Sequence, residues 1–333
     1  GRVPAGGMPE RPLRPGEAFR IFTGAPLPED ADAIIPQEDV RLEGDTLLVP
    51  RAVRRGDFVR PRGEDMRRGD RVLDRGRVLS AADVGLLATV GRSPVSVIRR
   101  PRVGILSTGD ELVDLGMPVG PGQIPNSNSY SLIAQVLEAG AVPVGLGIAG
   151  DRLADIEARF RWGLGCDIVI SSAGVSVGEH DFVKDALARL GAEQHLWLVD
   201  MRPGKPIAFS TIPQDGKGAV AAFALPGNPV SAMVTFELFV RPAILRMAGH
   251  RRLHRPIVTA QAQEPIRNAD RRRGYLRVTL TSTDEGYRAR LTGTQSSGVL
   301  RSMVAADGLA VVPGATTIPP GQAVKVLLLR PTL

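Results

Sequence analysis

Cysteine, aromatic side chains and long apolar runs are all scarce in this chain of 333 residues, and each scarcity removes a class of function. The one cysteine, Cys166, excludes an internal disulfide and suits a reducing, cytoplasmic setting. It precedes a strand-like run, so it reads as a buried structural thiol rather than a nucleophile. Aromatics make up only 4% of the chain, and no basic helix is interleaved with stacking residues, which argues against nucleic acid as the partner. Apolar runs are broken by Gly, Pro or charge well short of the roughly 20 residues that span a bilayer, so no membrane association is expected. Gly1 to Arg14 has no apolar core of the kind a secretory signal carries. There is no internal repeat and no long low-complexity tract.

The hydrophobic fraction is 43% and the formal net charge is +7. The first is ordinary for a globular chain, and the second suits an acidic partner or a phosphorylated ligand. A length of 333 residues implies two or three domains. Residues 1–98 are rich in Gly, Pro and Arg, with short alternating stretches such as 46–49 and 58–60 between Gly-Asp turns, and read as small β-rich lobes. Ser80, with Asp83 three residues later, predicts a capped short helix reaching Thr89.

From residue 99 to 248 the texture changes to short apolar runs alternating with amphipathic helices, which predicts an α/β domain with a doubly wound, mostly parallel sheet. Strands are expected at 103–106, 142–148, 167–171, 195–201, 207–211 and 220–225. A helix capped by Asn128 should turn Leu132, Ile133, Val136 and Leu137 to one face. Further helices are expected over 152–160, from Asp181, and from Pro229 to about Met247. Residues 249–333 are all β in texture, at 257–262, 275–281, 287–292, 309–312 and 324–329, which predicts a small barrel or sandwich.

Four stretches carry the chemistry: Ser107 to Glu111, Ser171 to Gly178, Pro203 to Pro206, and Leu225 to Ser231. Loops that follow parallel strands gather at one sheet edge, where helix N-termini and free N–H groups favour anions. Asn228 and Pro229 suit the start of a helix, leaving the amides of Val230 and Ser231 for a phosphate. Gly174 and Gly178 allow close approach of a ligand, and Ser176 adds a hydroxyl. Asp110, Glu111, Asp151 and Asp181 follow the first three strands and offer the hard oxygens Mg²⁺ prefers. Taken singly, Asp151 and Asp181 are helix caps and Asp110 holds a turn. Arg202 and Lys205 place two cations around a Gly turn, whereas the arginine triplet 271–273 reads as solvated surface.

These stretches, with Arg20 to Pro26 and Arg62 to Asp65 and in this order, resemble the molybdopterin molybdenumtransferases, the MoeA and gephyrin E-domain group, from about Gly16 onward. The resemblance implies an enzyme of molybdenum cofactor biosynthesis. Its substrates would be adenylylated molybdopterin and molybdate, and Mg²⁺-dependent cleavage of the pyrophosphate would release AMP. The central domain would be of the MogA-like molybdopterin-binding kind. Glu111, Asp151 and Asp181 would serve the metal and the catalytic step. Thr23, Thr108, Gly109, Asp110, Ser172, Gly174, Ser176, Gly178, Pro226, Gly227, Asn228, Pro229 and Ser231 would line the pterin nucleotide site. Arg202, Pro203, Lys205, Arg277 and Ser297 would receive molybdate; without the resemblance, Arg277 and Ser297 read as surface residues. A homodimer is implied, as are transient contacts with molybdopterin adenylyltransferase and acceptor molybdoenzymes.

The alternatives within the fold are a molybdopterin adenylyltransferase and a non-catalytic molybdopterin-binding scaffold. Three departures stand out. Ala173 occupies a position that is glycine in most relatives, Arg202 stands where lysine is common, and no lysine occurs at 198–200. The family's N-terminal Ser-x-x-Asp-Gly-Tyr-Ala segment is not in this sequence, from which a truncated or partial chain is expected.

Overall fold

Local sequence explains the first helix directly. Ser80 accepts the backbone N–H of Asp83, and the Asp83 carboxylate accepts that of Ser80, so α1 (Ala81–Thr89) starts on the reciprocal capping box its sequence predicts. The computed structural model describes residues 1–174, 182–214, 216 and 218–330. The chain divides into two compact units, Gly1–Asp74 and Arg75–Leu333.

In the first unit, β1 (Arg2–Val3) and β2 (Arg20–Ile21) pair in parallel, and β3 (Arg41–Glu43) and β4 (Thr46–Leu48) form an antiparallel hairpin. The expected stretch at 58–60 is not a strand; Phe58 lies at φ 57°, which breaks the extension that alternation requires. Thr23 is exposed in the turn that follows β2.

The second unit holds two short ribbons, β6 (Leu112–Val113) with β7 (Ile124–Pro125) and β15 (Ile266–Asn268) with β19 (Thr316–Ile318), and a six-stranded sheet. Its strands are β5 (Arg102–Thr108), β8 (Val142–Ala149), β9 (Ile168–Ser172), β10 (Glu193–Trp197), β12 (Ala208–Gln214) and β13 (Gly218–Leu225), in the order β10-β12-β13-β9-β5-β8. The run β13-β9-β5-β8 is parallel, and β10 and β12 extend it antiparallel. Side-chain alternation gives each face its own core. Val103, Ile105, Ile168 and Ile170 pack with α2 (Ser127–Glu138) and the helical stretch 229–247, whereas Leu106 and Val169 pack with α3 (Leu153–Gly163) and α4 (Phe182–Arg189). The sheet is therefore doubly wound, as expected.

Three details depart from the sequence expectation. Asn126 rather than Asn128 caps α2, accepting the Ser129 N–H, and Leu137 faces outward at 58% exposure. The strand expected at 195–201 ends at Trp197 because Leu198 adopts φ 70°, and the chain resumes as β11 (Met201–Arg202) in a different sheet. The long helix is α5 (Pro229–Thr235) and α6 (Arg241–Met247) joined by a π turn over Phe236–Val240. Fully burying Phe236, Val240 and Ile244 contributes roughly 1.5–3 kcal/mol each, enough to hold this irregular turn in place.

The C-terminal region closes into a five-stranded barrel. Here β16 (Arg273–Thr283) pairs on one side with β17 (Gly286–Leu291) and on the other with β18 (Gly308–Val312), and β14 (Ile257–Ala262) and β20 (Ala323–Leu328) complete the ring. Of the two expected architectures, barrel and sandwich, the barrel is the one formed. β11 adds to it in parallel, with Arg202 beside Gly274. The α/β sheet and the barrel are thus stitched together by main-chain hydrogen bonds at the loop bearing Arg202.

Candidate functional site

Four parallel strands end in register. Thr108 lies beside Ala149, Ser107 beside Ser172, and Ser172 beside Leu225. The loops that follow, at 109–111, 150–151, 173–174 and 226–228, therefore sit along one edge of the sheet, where an open α/β fold binds its ligands. Ser176, Gly178 and Asp181 lie outside the described residues.

Two carboxylates meet on this edge. The Asp151 N–H donates to Asp110 Oδ1 at 3.1 Å, and the Asp110 N–H to Asp151 Oδ2 at 3.5 Å. Glu111 folds back so that its carboxylate covers Gly109, which has φ 143°. All three acids are exposed. Among the described residues, no group of three or more His, Cys, Asp or Glu is arranged to hold a metal by itself. Mg²⁺ commonly takes only one or two carboxylates and completes its shell with water and substrate phosphates. Glu111 and Asp151 supply hard oxygens suited to such a shared site.

Beneath the edge lies a buried polar layer. Ser107 Oγ donates to Asn126 Oδ1 at 2.9 Å and lies 2.8 Å from Ser129 Oγ. Asn128, freed from capping, donates to the Gly227 carbonyl at 2.7 Å and so ties α2 to the 226–228 loop. Thr108 Oγ1, Ser171 Oγ and Asn128 Oδ1 are buried without a partner among the described residues. Buried polar atoms are nearly always paired, so these orphans mark a place built for a polar ligand or ordered water.

Gly174 does more than admit a ligand. At φ 79°, a Cβ on it would overlap the Val183 side chain of α4, so packing alone requires glycine there. Ala173 shares the left-handed conformation at φ 78°, an uncommon one for a residue with a Cβ. Its N–H donates to the Leu225 carbonyl at 3.0 Å, joining the two loops.

The second feature is a cavity of about 530 Å³ between the 202–206 loop, the start of α5 and the barrel loop 294–297. Arg202, Pro203, Lys205, Ser297, Pro226, Asn228 and Ser231, each expected at the site, all line it. Asn228 occupies the N-cap position of α5 but makes no side-chain cap hydrogen bond. The Val230 N–H, expected to be free for a phosphate, donates instead to the Ser297 carbonyl at 3.1 Å, because the barrel loop closes over that helix end.

Arg277 is not a surface residue: it is fully buried. Its Nε donates to Ser302 Oγ at 3.1 Å, and its Nη2 to the Ser296 carbonyl at 3.1 Å, bracing the loop that walls the cavity. Nη1 has no partner among the described residues. Burial, and secondarily the charge of Arg202, push its pKa down to about 10, so it stays cationic at neutral pH. Arg272 also lines the cavity, contrary to its reading as solvated surface. It lies in the bend just before β16, where Asp270 holds it against the cavity, and that contact is not legible in sequence. No helix among the described residues is long and apolar enough to cross a membrane.

A doubly wound sheet with acids at its strand ends, next to a cavity lined by Arg202, Lys205 and Arg272, defines an α/β protein of the open-sheet class that presents groups suited to an anion. Comparison with known proteins agrees. Residues 2–91 match the family described as MoeA N-terminal region (domain I and II), residues 104–246 the probable molybdopterin binding domain, and residues 259–329 the MoeA C-terminal region (domain IV). The molybdopterin molybdenumtransferase of Nostoc sp. is 39% identical over 331 residues, 98% of this chain and 76% of that protein. Molybdopterin molybdenumtransferase 1 of Mycobacterium tuberculosis is 37% identical over 99% of this chain and 78% of its own length. A crystal structure of the molybdopterin biosynthesis MoeA protein from Pyrococcus horikoshii superposes with a TM-score of 0.80 at 31% identity, over 99% of this chain and 80% of that one. The chain belongs to the MoeA family of molybdopterin molybdenumtransferases.

Proposed function

We propose that this chain transfers molybdenum from molybdate to molybdopterin, taking the pterin as its adenylylated form and releasing AMP. The observation that carries the reading is the placement of Arg277. A buried guanidinium whose Nη1 has no partner among the described residues braces the wall of a cavity lined by Arg202 and Lys205, and that cavity adjoins the sheet edge bearing Asp110, Glu111 and Asp151. A tetrahedral oxyanion suits convergent arginine and lysine donors, with Ser297 beside them. The pyrophosphate would lie along the strand-end loops, over the orphaned Thr108 hydroxyl and Ser172.

Glu111 and Asp151 would hold Mg²⁺, together with Asp181. When bound, the ion would screen the negative charge of the pyrophosphate oxygens and ease cleavage. The chain's own residues position the two substrates: the 226–228 loop, tied through Asn128, forms the boundary between the acid edge and the cavity. Thr23 is proposed to face the same ligand. Also proposed are the division at residues 98 and 248, a cytoplasmic homodimer, and passing contacts with molybdopterin adenylyltransferase and acceptor molybdoenzymes.

The test is AMP release from adenylylated molybdopterin with Mg²⁺, with and without molybdate. Molybdate-dependent release, abolished in Asp181→Asn with ligand binding retained, is expected. ATP-dependent adenylylation of metal-free molybdopterin without molybdate-dependent release would overturn the reading in favour of an adenylyltransferase.

A further inference from the structure

Arg272 and Asp270 form a built unit at the cavity wall. The Asp270 carboxylate accepts Arg272 Nε at 2.8 Å and Nη2 at 2.6 Å, along with the Arg272 backbone N–H at 3.0 Å. It also receives Arg202 Nη1 at 3.4 Å. One carboxylate therefore orients two of the three cations that line the cavity.

The turn that carries this carboxylate is itself fixed. Asn268, only 3% exposed, accepts the Asp270 N–H at 3.2 Å and donates to the carbonyls of Arg272, Val312 and Pro313 at 2.9 to 3.2 Å. Gly274 packs on this amide, where a Cβ would come within 2.9 Å of Asn268 Nδ2, and the same glycine is the ladder partner of Arg202. The barrel edge thus presents Asp270 to both arginines at once.

With Nε and Nη2 committed to the fork, the Arg272 guanidinium is locked, and Nη1 makes no hydrogen bond among the described residues. A planar donor group already immobilised loses little entropy when it receives an oxyanion. We propose that Arg272 is a further oxyanion-binding residue of this cavity and that Asp270 is the positioning residue that holds Arg272 and Arg202 ready for it. This rests on the oxyanion reading of the cavity given above. A shared carboxylate also tempers the positive field, so selection among dianions depends on where the donors point rather than on charge alone.

The test is isothermal titration of the full chain with molybdate, and separately with sulfate, for the parent protein and for Arg272→Ala, Asp270→Asn and the exposed control Arg271→Ala. Thermal melts of each variant report on folding. Loss of a charge-assisted hydrogen bond predicts that Arg272→Ala weakens molybdate about tenfold or more, while Arg271→Ala leaves it unchanged. Asp270→Asn should weaken molybdate less and narrow the ratio of molybdate to sulfate affinity, a readout that a purely structural role would not move. If Arg272→Ala melts early, Arg272→Lys is read in its place, with an affinity between the parent and the alanine variant expected. Parent-like molybdate affinity in the Arg272 variant, with the parent itself binding, overturns this inference and leaves the proposed function standing. An unchanged affinity ratio in Asp270→Asn overturns the positioning role. A parent protein that binds no molybdate overturns both readings.

Discussion

Asp110 and Asp151, which are 41 residues apart in sequence, each accept the other's backbone N–H across the ends of two adjacent parallel strands. The exchange fixes the two loops against each other, and both residues remain exposed at the strand ends. A carboxamide at position 151 keeps an oxygen for the Asp110 N–H but loses the charge. Asp151→Asn is therefore expected to fold normally and to need about tenfold or more Mg²⁺ for half-maximal AMP release, with nucleotide binding retained. A magnesium titration of the variant checks this; an unchanged midpoint removes Asp151 from the metal site.

Arg277 makes a pH dependence of unusual form. Its pKa of about 10 lies below the ordinary guanidinium value because the charge is buried. Between about 10 and that ordinary value the unfolded chain holds a proton that the folded chain has released, so this residue's contribution to stability rises with pH in that window. Oxyanion affinity should move the opposite way, steady through neutral pH and falling as pH rises through about 10. Molybdate titrations alongside denaturant melts at pH 8 to 11 follow both. In Arg277→Met the affinity should fall and the contribution of this group to the alkaline trend should vanish, with a stability change of only about 1 kcal/mol, because Ser302 Oγ keeps its bond to the Val299 carbonyl and the Ser296 carbonyl keeps the Val299 N–H.

Ala173 and Gly174 are consecutive left-handed residues at φ 78° and 79°. For an L-residue with a Cβ that conformation costs roughly 1–2 kcal/mol, part of which glycine gives back through its freer unfolded state. Ala173→Gly should stabilise the chain by about 0.5–1 kcal/mol. Gly174→Ala should destabilise it by more than about 2 kcal/mol, because the added Cβ also meets Val183. Urea midpoints of the two variants should move in opposite directions.

The π turn buries a charge cluster. Glu237, whose side chain is 4% exposed, pairs with Arg255 at 2.9 Å and accepts Gln135 Nε2 at 3.0 Å, with Arg241 at 3.8 Å. Removing one member strands the others, so Glu237→Ala should cost about 3–5 kcal/mol. Replacing Glu237 and Arg255 together with apolar residues should recover much of that loss. A double-mutant cycle by chemical denaturation measures the coupling, and additive losses would show that the pair is not coupled.

Much of the α/β domain was legible because its signals are local and periodic. Val103, Ile105, Ile168 and Ile170 alternate, and the Ser80–Asp83 box lies within one helical turn. The misplaced cap of α2 shows the limit of such signals. Asn126 and Asn128 are equally good capping residues by type, and only the approach of Ser107 from β5 and of Gly227 from the next loop assigns their separate duties. The strand expected to run to Met201 failed for a similar reason: Leu198 turns the chain out of one sheet so that Met201 and Arg202 can pair with another.

By itself the sequence determined which residue types were available to the chemistry: acids after parallel strands, cations around a Gly turn, and the order of motifs that marks the MoeA family. Tertiary structure alone decided the rest. It buried Arg277, which without the family resemblance reads as a surface residue, and it singled out Arg272 from a triplet of arginines. It also gave the Val230 N–H to Ser297 rather than to a ligand. Each depends on segments distant in sequence: Arg277 is bonded within the barrel region to Ser296 and Ser302, whereas Arg272 and the Val230 N–H meet their surroundings where the barrel adjoins the α/β domain. Periodicity reports which face of an element is apolar; it carries no information about which distant segment will cover that face.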